Sequence, residues 1–289
     1  MFEVVDLFCA PGGLSLGFSM AGFRVVAGID SDVDAMKTYR RNFPETRPIL
    51  RDIRTLDPGG VMRYLEIEEG EIDVMVGGPP CQGFSTIGRP ALASLARAGR
   101  RKDITVPYAR FIDDPRNELY RYFMVFVKSF RPKFVVMENV LGMMSYRNGE
   151  IVRQIVGDFR RMGYRTEARV LNAVWFGVPQ MRRRIFFIGT RLRDAEIRWP
   201  RPTHGESAGT GTTLEHFVDA GGGLKPPVTV WEAIGDLPDP VPGRPKLADC
   251  PIPYDRPPFC EYQRFMREWG GGSPDGKVHN HVARRHNER

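Results

Sequence analysis

The sequence contains no apolar run long enough to cross a membrane, and its opening, MFEVVDLFCAPGG, puts no basic segment ahead of the first apolar stretch. Neither a membrane span nor a secretory signal is expected. Cysteine is scarce. Cys9, Cys81, Cys250 and Cys260 show no disulfide-scaffold spacing, which excludes a stapled secreted scaffold and suits a reducing cytoplasm. With no short Cys-x-x-Cys pair, a zinc module from Cys250, Cys260, His279, His281 and His286 is remote, and its proline-rich surroundings are poor support for a tetrahedral site. No metal is expected. No internal repeat is visible, which excludes a repeat array.

What is present is the composition of an ordinary globular chain. Its 289 residues are 42% apolar and 27% charged, enough for one sizeable core with a smaller second region, or for two modest domains. A net charge of +7 favours polyanionic partners, although many proteins of this charge bind no nucleic acid.

Short apolar runs alternate with helical patterns over the first 190 residues, the signature of a doubly wound, mostly parallel α/β sheet. Strands are expected at Phe2–Leu7, Arg24–Ile29, Pro48–Leu50, Ile72–Val76, Phe134–Met137, Thr166–Leu171 and Ile185–Thr190. Helices are expected at Leu14–Ala21, Val33–Asn42, Asn117–Ser129 and Ile151–Met162. A long polar stretch, Gly77 to Pro115, carries several glycines and a basic knot at Arg100-Arg101-Lys102. Composition shifts after Arg198 to proline- and glycine-rich segments such as GGGLKPP and PDPVPGRP, with one short helix expected at Val230–Ile234. The expected division is therefore 1–198 as a catalytic and cofactor-binding domain and 199–289 as a Pro/Gly-rich connection.

Two segments carry chemistry. The turn after the first strand reads Asp6-Leu7-Phe8-Cys9-Ala10-Pro11-Gly12-Gly13. Glycines there let a ligand approach the backbone and leave helix N–H groups free, but the spacing is not Gly-x-Gly-x-x-Gly, which argues against a dinucleotide. The glycines alone fit a plain tight turn equally well. Asp30 ends the second strand and Asp52 follows the third, and with them a nucleoside pocket at the strand ends becomes the better reading. The second segment is Gly77-Gly78-Pro79-Pro80-Cys81-Gln82-Gly83-Phe84-Ser85. Cys81 sits in a loop held by two prolines, a placement that suits a directed thiolate nucleophile. Cys9 reads as a small buried hydrophobe.

PPCQGFS resembles the nucleophile motif of the DNA (cytosine-5)-methyltransferase family, and DLFCAPGG resembles that family's opening cofactor motif. Met137-Glu138-Asn139-Val140 is similar to its ENV motif, and Gln180-Met181-Arg182-Arg183-Arg184 to its Q-x-R-x-R motif. All four stand in family order. One such match is common by chance; four at the expected strand ends form a specific signal.

The resemblance implies transfer of a methyl group from S-adenosyl-L-methionine to C5 of cytosine in double-stranded DNA. Cytosine C5 is a poor nucleophile, and addition of the Cys81 thiolate to C6 pushes electron density onto it. Glu138 is then the carboxyl group that protonates or hydrogen-bonds N3, with Arg182 and Arg184 gripping the base O2 and nearby phosphates. From the residues alone, Glu138 fits a helix cap or salt bridge equally well, and an arginine run is usually a solvated face. Cofactor contacts are implied for Phe8, Pro11, Gly12, Gly13, Asp30, Asp52, Pro80 and Leu119. Contacts to DNA are implied for Gln82, Ser85, Arg97, Arg100, Arg101 and Lys102, in a segment that with Arg89 could close over a flipped-out base. A plain surface loop is the alternative.

Family members continue through a variable recognition domain to a Gly-Asn-Ser/Ala-Val segment, which has no counterpart in this sequence. Truncation, or one subunit of a split enzyme, accounts for that, truncation being preferred because the sequence stops abruptly after HNHVARRHNER. Two rival readings stand: a tRNA (cytosine-5)-methyltransferase, whose Cys-Phe-Thr signature is missing here, and a catalytically silent DNA-binding homologue, which would lose Cys81 or Glu138.

Overall fold

The computed structural model describes residues 1–80, 119–144, 146–205, 223–242, 251–269, 276–279 and 281–283. The chain divides into two compact units, one of residues 1–171 and 183–199, the other of residues 172–182 and 200–289.

Among the described residues, the first unit is built on a seven-stranded sheet in the order β3-β2-β1-β4-β5-β7-β6. The strands are β1 (Glu3–Leu7), β2 (Arg24–Asp30), β3 (Arg47–Leu50), β4 (Val74–Gly77), β5 (Phe134–Val140), β6 (Arg165–Asn172) and β7 (Arg183–Thr190). Strands β1 to β5 pair in parallel, and β7 joins β5 antiparallel. The central strands read VVDL, VVAGI and VMVG and are buried almost throughout, as a sheet covered on both faces requires. Phe123, Phe126, Phe130, Phe159 and Phe187 are fully buried in its main core, each contributing roughly 1.5–3 kcal/mol of transfer free energy.

Helices α1 (Gly13–Met20), α2 (Val33–Asn42), α4 (Leu119–Phe130) and α5 (Glu150–Arg161) fall within a residue or two of the expected spans. Helix α3 (Pro58–Leu65) was not expected, because Gly59 and Gly60 lower helix propensity. Its start is instead marked by Asp57, whose carboxylate accepts from the N–H groups of both glycines, and by Pro58 in the first turn. Strand β5 runs three residues beyond the expected Met137, because Glu138, Asn139 and Val140 find partners in Phe186, Ile185 and Arg184 of β7.

In the second unit, Trp175 is buried and its carbonyl accepts from the N–H groups of Thr203 and His204 at 2.8 and 3.0 Å. Helix α6 (Val230–Ile234) begins with a reciprocal Thr229–Glu232 capping box. A further helix, α7 (Glu261–Trp269), brings Arg267 to the buried carboxylate of Asp236, with Nε donating at 2.8 Å, while its guanidinium lies 3.9 Å from the Tyr254 ring centre. No helix among the described residues is long and apolar enough to cross a membrane.

Candidate active site

Strands β1, β2 and β4 run parallel, so Leu7, Asp30 and Gly77 end at one edge of the sheet. The turn leaving β1 has left-handed backbone at Phe8 (φ 60°), Ala10 (φ 49°) and Gly12 (φ 100°). At the two non-glycine positions this costs about 1 kcal/mol each or more. Hydrogen bonds hold the strained path: Cys9 N–H to the Ile29 carbonyl at 3.1 Å, Gly12 N–H to the Cys9 carbonyl at 2.9 Å, and Ala10 N–H to Asp30 Oδ2 at 2.9 Å. Asp30 Oδ1 accepts from Asp32 N–H at 2.8 Å. The carboxylate of Asp30 is thus fixed in direction, with a lone pair left on each oxygen for a ligand.

Gly12 has no room for a side chain, since a Cβ would stand 2.3 Å from the Phe43 ring. Pro11 and Gly13 are exposed beside it, and Phe8 is half-buried against the main core. Cys9 is buried with its thiol 3.6 Å from the Met36 sulfur, and burial pushes its pKa up. That environment is wrong for a nucleophile.

A buried polar cluster joins the end of β1 to α1 and α2. Asp6 is fully buried, and its Oδ2 accepts from Ser15 N–H at 3.1 Å and Ser15 Oγ at 2.7 Å. Ser15 Oγ also lies 3.0 Å from the Tyr39 hydroxyl. Helix α1 has no side-chain cap at Gly12, so Asp6 satisfies one of its free N–H groups from the neighbouring strand. Asp6 Oδ1 is buried with no hydrogen-bond partner. Burial pushes the Asp6 carboxyl up to about 7; the Ser15 hydrogen bonds oppose the rise and nearby Asp30 adds to it. The one signal in the sequence is an acid inside the apolar run VVDLF.

Asp52 caps the 3-10 turn Ile53–Thr55 by accepting from Arg54 N–H at 3.0 Å. Its two oxygens also accept from Arg54 Nε at 3.0 Å, and Oδ2 from Nη2 at 2.5 Å. These bonds hold the carboxyl below the usual carboxylate range. Leu119 opens α4 and is buried in the main core.

The other half of the edge starts where β4 gives way to Pro79, which is buried, and Pro80, which is half-buried. The buried amide of Asn139 donates from Nδ2 to the Pro79 carbonyl at 3.0 Å and accepts at Oδ1 from Val140 N–H at 2.8 Å. The ENV resemblance implies no role for Asn139, whose one sequence signal is its place beside Glu138. Glu138 Oε2 faces Gly78, where a Cβ would stand 3.4 Å away. Glu138 Oε1 lies 3.0 Å from Arg184 Nε, yet that N–H has no aligned acceptor, so the contact is one of charge.

Glu138 and Arg184 are thus brought together. Arg182 falls in the second unit, where its N–H donates to Asn172 Oδ1 at 3.0 Å. Cys81, Gln82, Ser85, Arg89, Arg97, Arg100, Arg101 and Lys102 lie outside the described residues, as do Cys250 and His286. Among the described residues no cluster of His, Cys, Asp or Glu is arranged to hold a metal.

The family described as C-5 cytosine-specific DNA methylase matches residues 2–220. The chain belongs to that family. It is 38% identical over 269 residues to the type II methyltransferase M.AgeI of Thalassovita gelatinovora, covering 92% of this chain and 57% of that protein. It is 40% identical over 213 residues to the type II methyltransferase M1.HphI of Haemophilus parahaemolyticus, covering 74% of this chain and 52% of that protein. A solved structure of a proposed DNA modification methyltransferase encoded within an E. coli prophage superposes over 99% of this chain and 73% of its own, with a TM-score of 0.69 and 25% identity. The chain therefore spans little more than half the length of these curated relatives.

Members of the C-5 cytosine methylase family take their methyl group from S-adenosylmethionine. The residues at the strand edge fit that cofactor: a glycine turn with no space for a side chain, a pre-aimed Asp30 carboxylate, and an orphaned buried oxygen on Asp6.

Proposed function

We propose that the chain supplies the catalytic and cofactor-binding part of a DNA (cytosine-5)-methyltransferase of restriction–modification type, acting on double-stranded DNA with Cys81 as covalent nucleophile. The observation that supports this most directly is the tether between the two halves of the site. Asn139 fixes the Pro79 carbonyl, two residues before Cys81, on the strand that also presents Glu138.

In this reading Asp30 accepts hydrogen bonds from the cofactor ribose, Asp52 and Leu119 border the adenine, and Phe8, Pro11, Gly12, Gly13 and Pro80 contact the rest. The cofactor supplies an electrophilic methyl group on a sulfonium. Cys81 attacks C6 of a flipped-out cytosine, and once C5 has taken the methyl group the C5 proton is lost and the Cys81–C6 bond breaks by elimination. Glu138 supplies a hydrogen bond or proton to N3 as charge develops on the ring. Arg184 holds the Glu138 carboxylate in place and grips the base O2. Gln82, Ser85, Arg97, Arg100, Arg101 and Lys102 contact DNA.

Sequence choice and most duplex affinity would come from a recognition portion, in the remainder of the polypeptide or in a second subunit. The test is a tritiated-methyl assay on mixed duplex DNA, run with this chain alone and with the C-terminal portion of a relative supplied in trans. The expected result is near-zero transfer alone and site-specific transfer on complementation. Robust site-specific methylation by the chain alone would contradict the need for a separate recognition portion, and methylation of tRNA in place of DNA would contradict the substrate.

A further inference from the structure

Asp6 is a buried acid in acidic company. The groups that face it are Ser15 from α1, Tyr39 from α2, Cys9 in the turn and Asp30 at the end of β2. Ser15 occupies Oδ2 alone, and Oδ1 has no hydrogen-bond partner among the described residues. A side chain with this much burial and a spare acceptor favours the neutral acid until a cation arrives. The strained Phe8–Gly12 path begins two residues after it, leads into the helix whose Ser15 bonds Asp6, and is itself anchored by Asp30. S-adenosylmethionine is such a cation, carrying a sulfonium and an ammonium against one carboxylate.

We propose that Asp6 is a further cofactor-binding residue: its carboxyl releases a proton to solvent as S-adenosylmethionine settles on the Phe8–Gly13 turn, and the carboxylate then serves as the cofactor's counter-charge. This rests on the reading that the turn binds the cofactor. The burial-raised titration of Asp6, to about 7, places the exchange near neutrality. Proton binding and cofactor binding are then linked, so affinity rises with pH through that range. The Ser15 bonds keep the carboxyl oriented in both charge states, and Tyr39 holds Ser15.

The test is calorimetric titration of the whole chain with S-adenosylmethionine near pH 7, in two buffers of different ionisation enthalpy. About half a proton should be released per cofactor bound by the wild type, and that release should vanish in Asp6→Asn, whose amide oxygen still accepts from Ser15. Relative to the variant, wild-type affinity should fall about tenfold from pH 8 to pH 6. A second measurement needs no substitution. The ¹³C shift of the Asp6 carboxyl should titrate near neutrality in the free chain, with its midpoint moving down when cofactor is saturating. Cofactor binding with equal proton release in both proteins, or a midpoint that does not move, overturns the inference alone. Failure to bind cofactor at all overturns the reading of the turn and this inference with it.

Discussion

The side-chain amide of Asn139 donates a 3.0 Å hydrogen bond to the carbonyl of Pro79. Both groups are buried, and the other end of the amide is committed to Val140 N–H, so the donor and acceptor ends cannot exchange. Asn139→Asp would turn a carboxylate oxygen toward a carbonyl in a buried place. We expect a loss of about 1–3 kcal/mol in stability, read by chemical denaturation. Methyl transfer in the complemented enzyme should fall further than the stability loss explains, because the segment leading to Cys81 loses its anchor. A variant as active as the wild type would show that the tether is incidental.

Burial of Asp6 sets a pH dependence of stability. Its folded carboxyl titrates near 7 against an ordinary value of 3.8, so the folded state holds the proton more tightly than the unfolded chain. The sign follows: the contribution is fully present below about pH 4 and is lost as pH rises through about 7. The penalty at pH 8 is on the order of a few kcal/mol. Asp6→Asn should therefore raise the melting temperature at pH 8 and lose that advantage near pH 4. An equal shift at both values would mean that Asp6 is charged in the fold.

The fold was legible because each strand and helix carries its own pattern. Runs such as VVAGI and VMVG, short and β-branched between helical patterns, read as buried strands, and helix α2 lies at its expected bounds, Val33–Asn42, with a start that the structure shows capped by the Asp32 carboxylate on Ala35 N–H. Helix α3 was hidden because two glycines mask a start that Asp57 and Pro58 announce. The end of β5 was hidden because pairing with β7, not local propensity, carries the strand through Asn139. At the site, Asp30 and Glu138 could be named from motifs. Asp6 stands in the DLFCAPGG motif, but its bonds to Ser15 and the contact of Ser15 with Tyr39 come from the packing of α1 and α2 on the sheet, which no motif spacing encodes.

Tyr39 packs against a bare backbone at Gly28, where a Cβ would stand 2.3 Å from its ring. Gly28→Ala must displace a fully buried aromatic or the strand, and overpacking of this kind costs typically 1–3 kcal/mol. Tyr39→Phe removes only the hydroxyl beside Ser15 and should cost about 1 kcal/mol. Thermal denaturation should rank Gly28→Ala as the more damaging of the two. The reverse order would mean that the hydroxyl, and not the packing, holds α2 to the sheet.

Glu138 shares charge with Arg184 and faces Gly78. Glu138→Gln should lower the rate of methyl transfer by about 10²-fold or more, with little change in duplex binding, since the carboxyl matters most as charge builds on the ring. Single-turnover kinetics on the complemented enzyme separate the two. An unchanged rate would reduce Glu138 to the partner of Arg184.

The proposed reaction turns on a covalent bond between Cys81 and the base. Duplex DNA carrying 5-fluorocytosine, incubated with S-adenosylmethionine and the complemented enzyme, blocks the final elimination and leaves the adduct in place. Peptide mapping by mass spectrometry should find the nucleotide on Cys81, and Cys81→Ser should yield no adduct and no methyl transfer while still binding cofactor. An adduct on Cys9, Cys250 or Cys260, or full methyl transfer by the serine variant, would contradict the account.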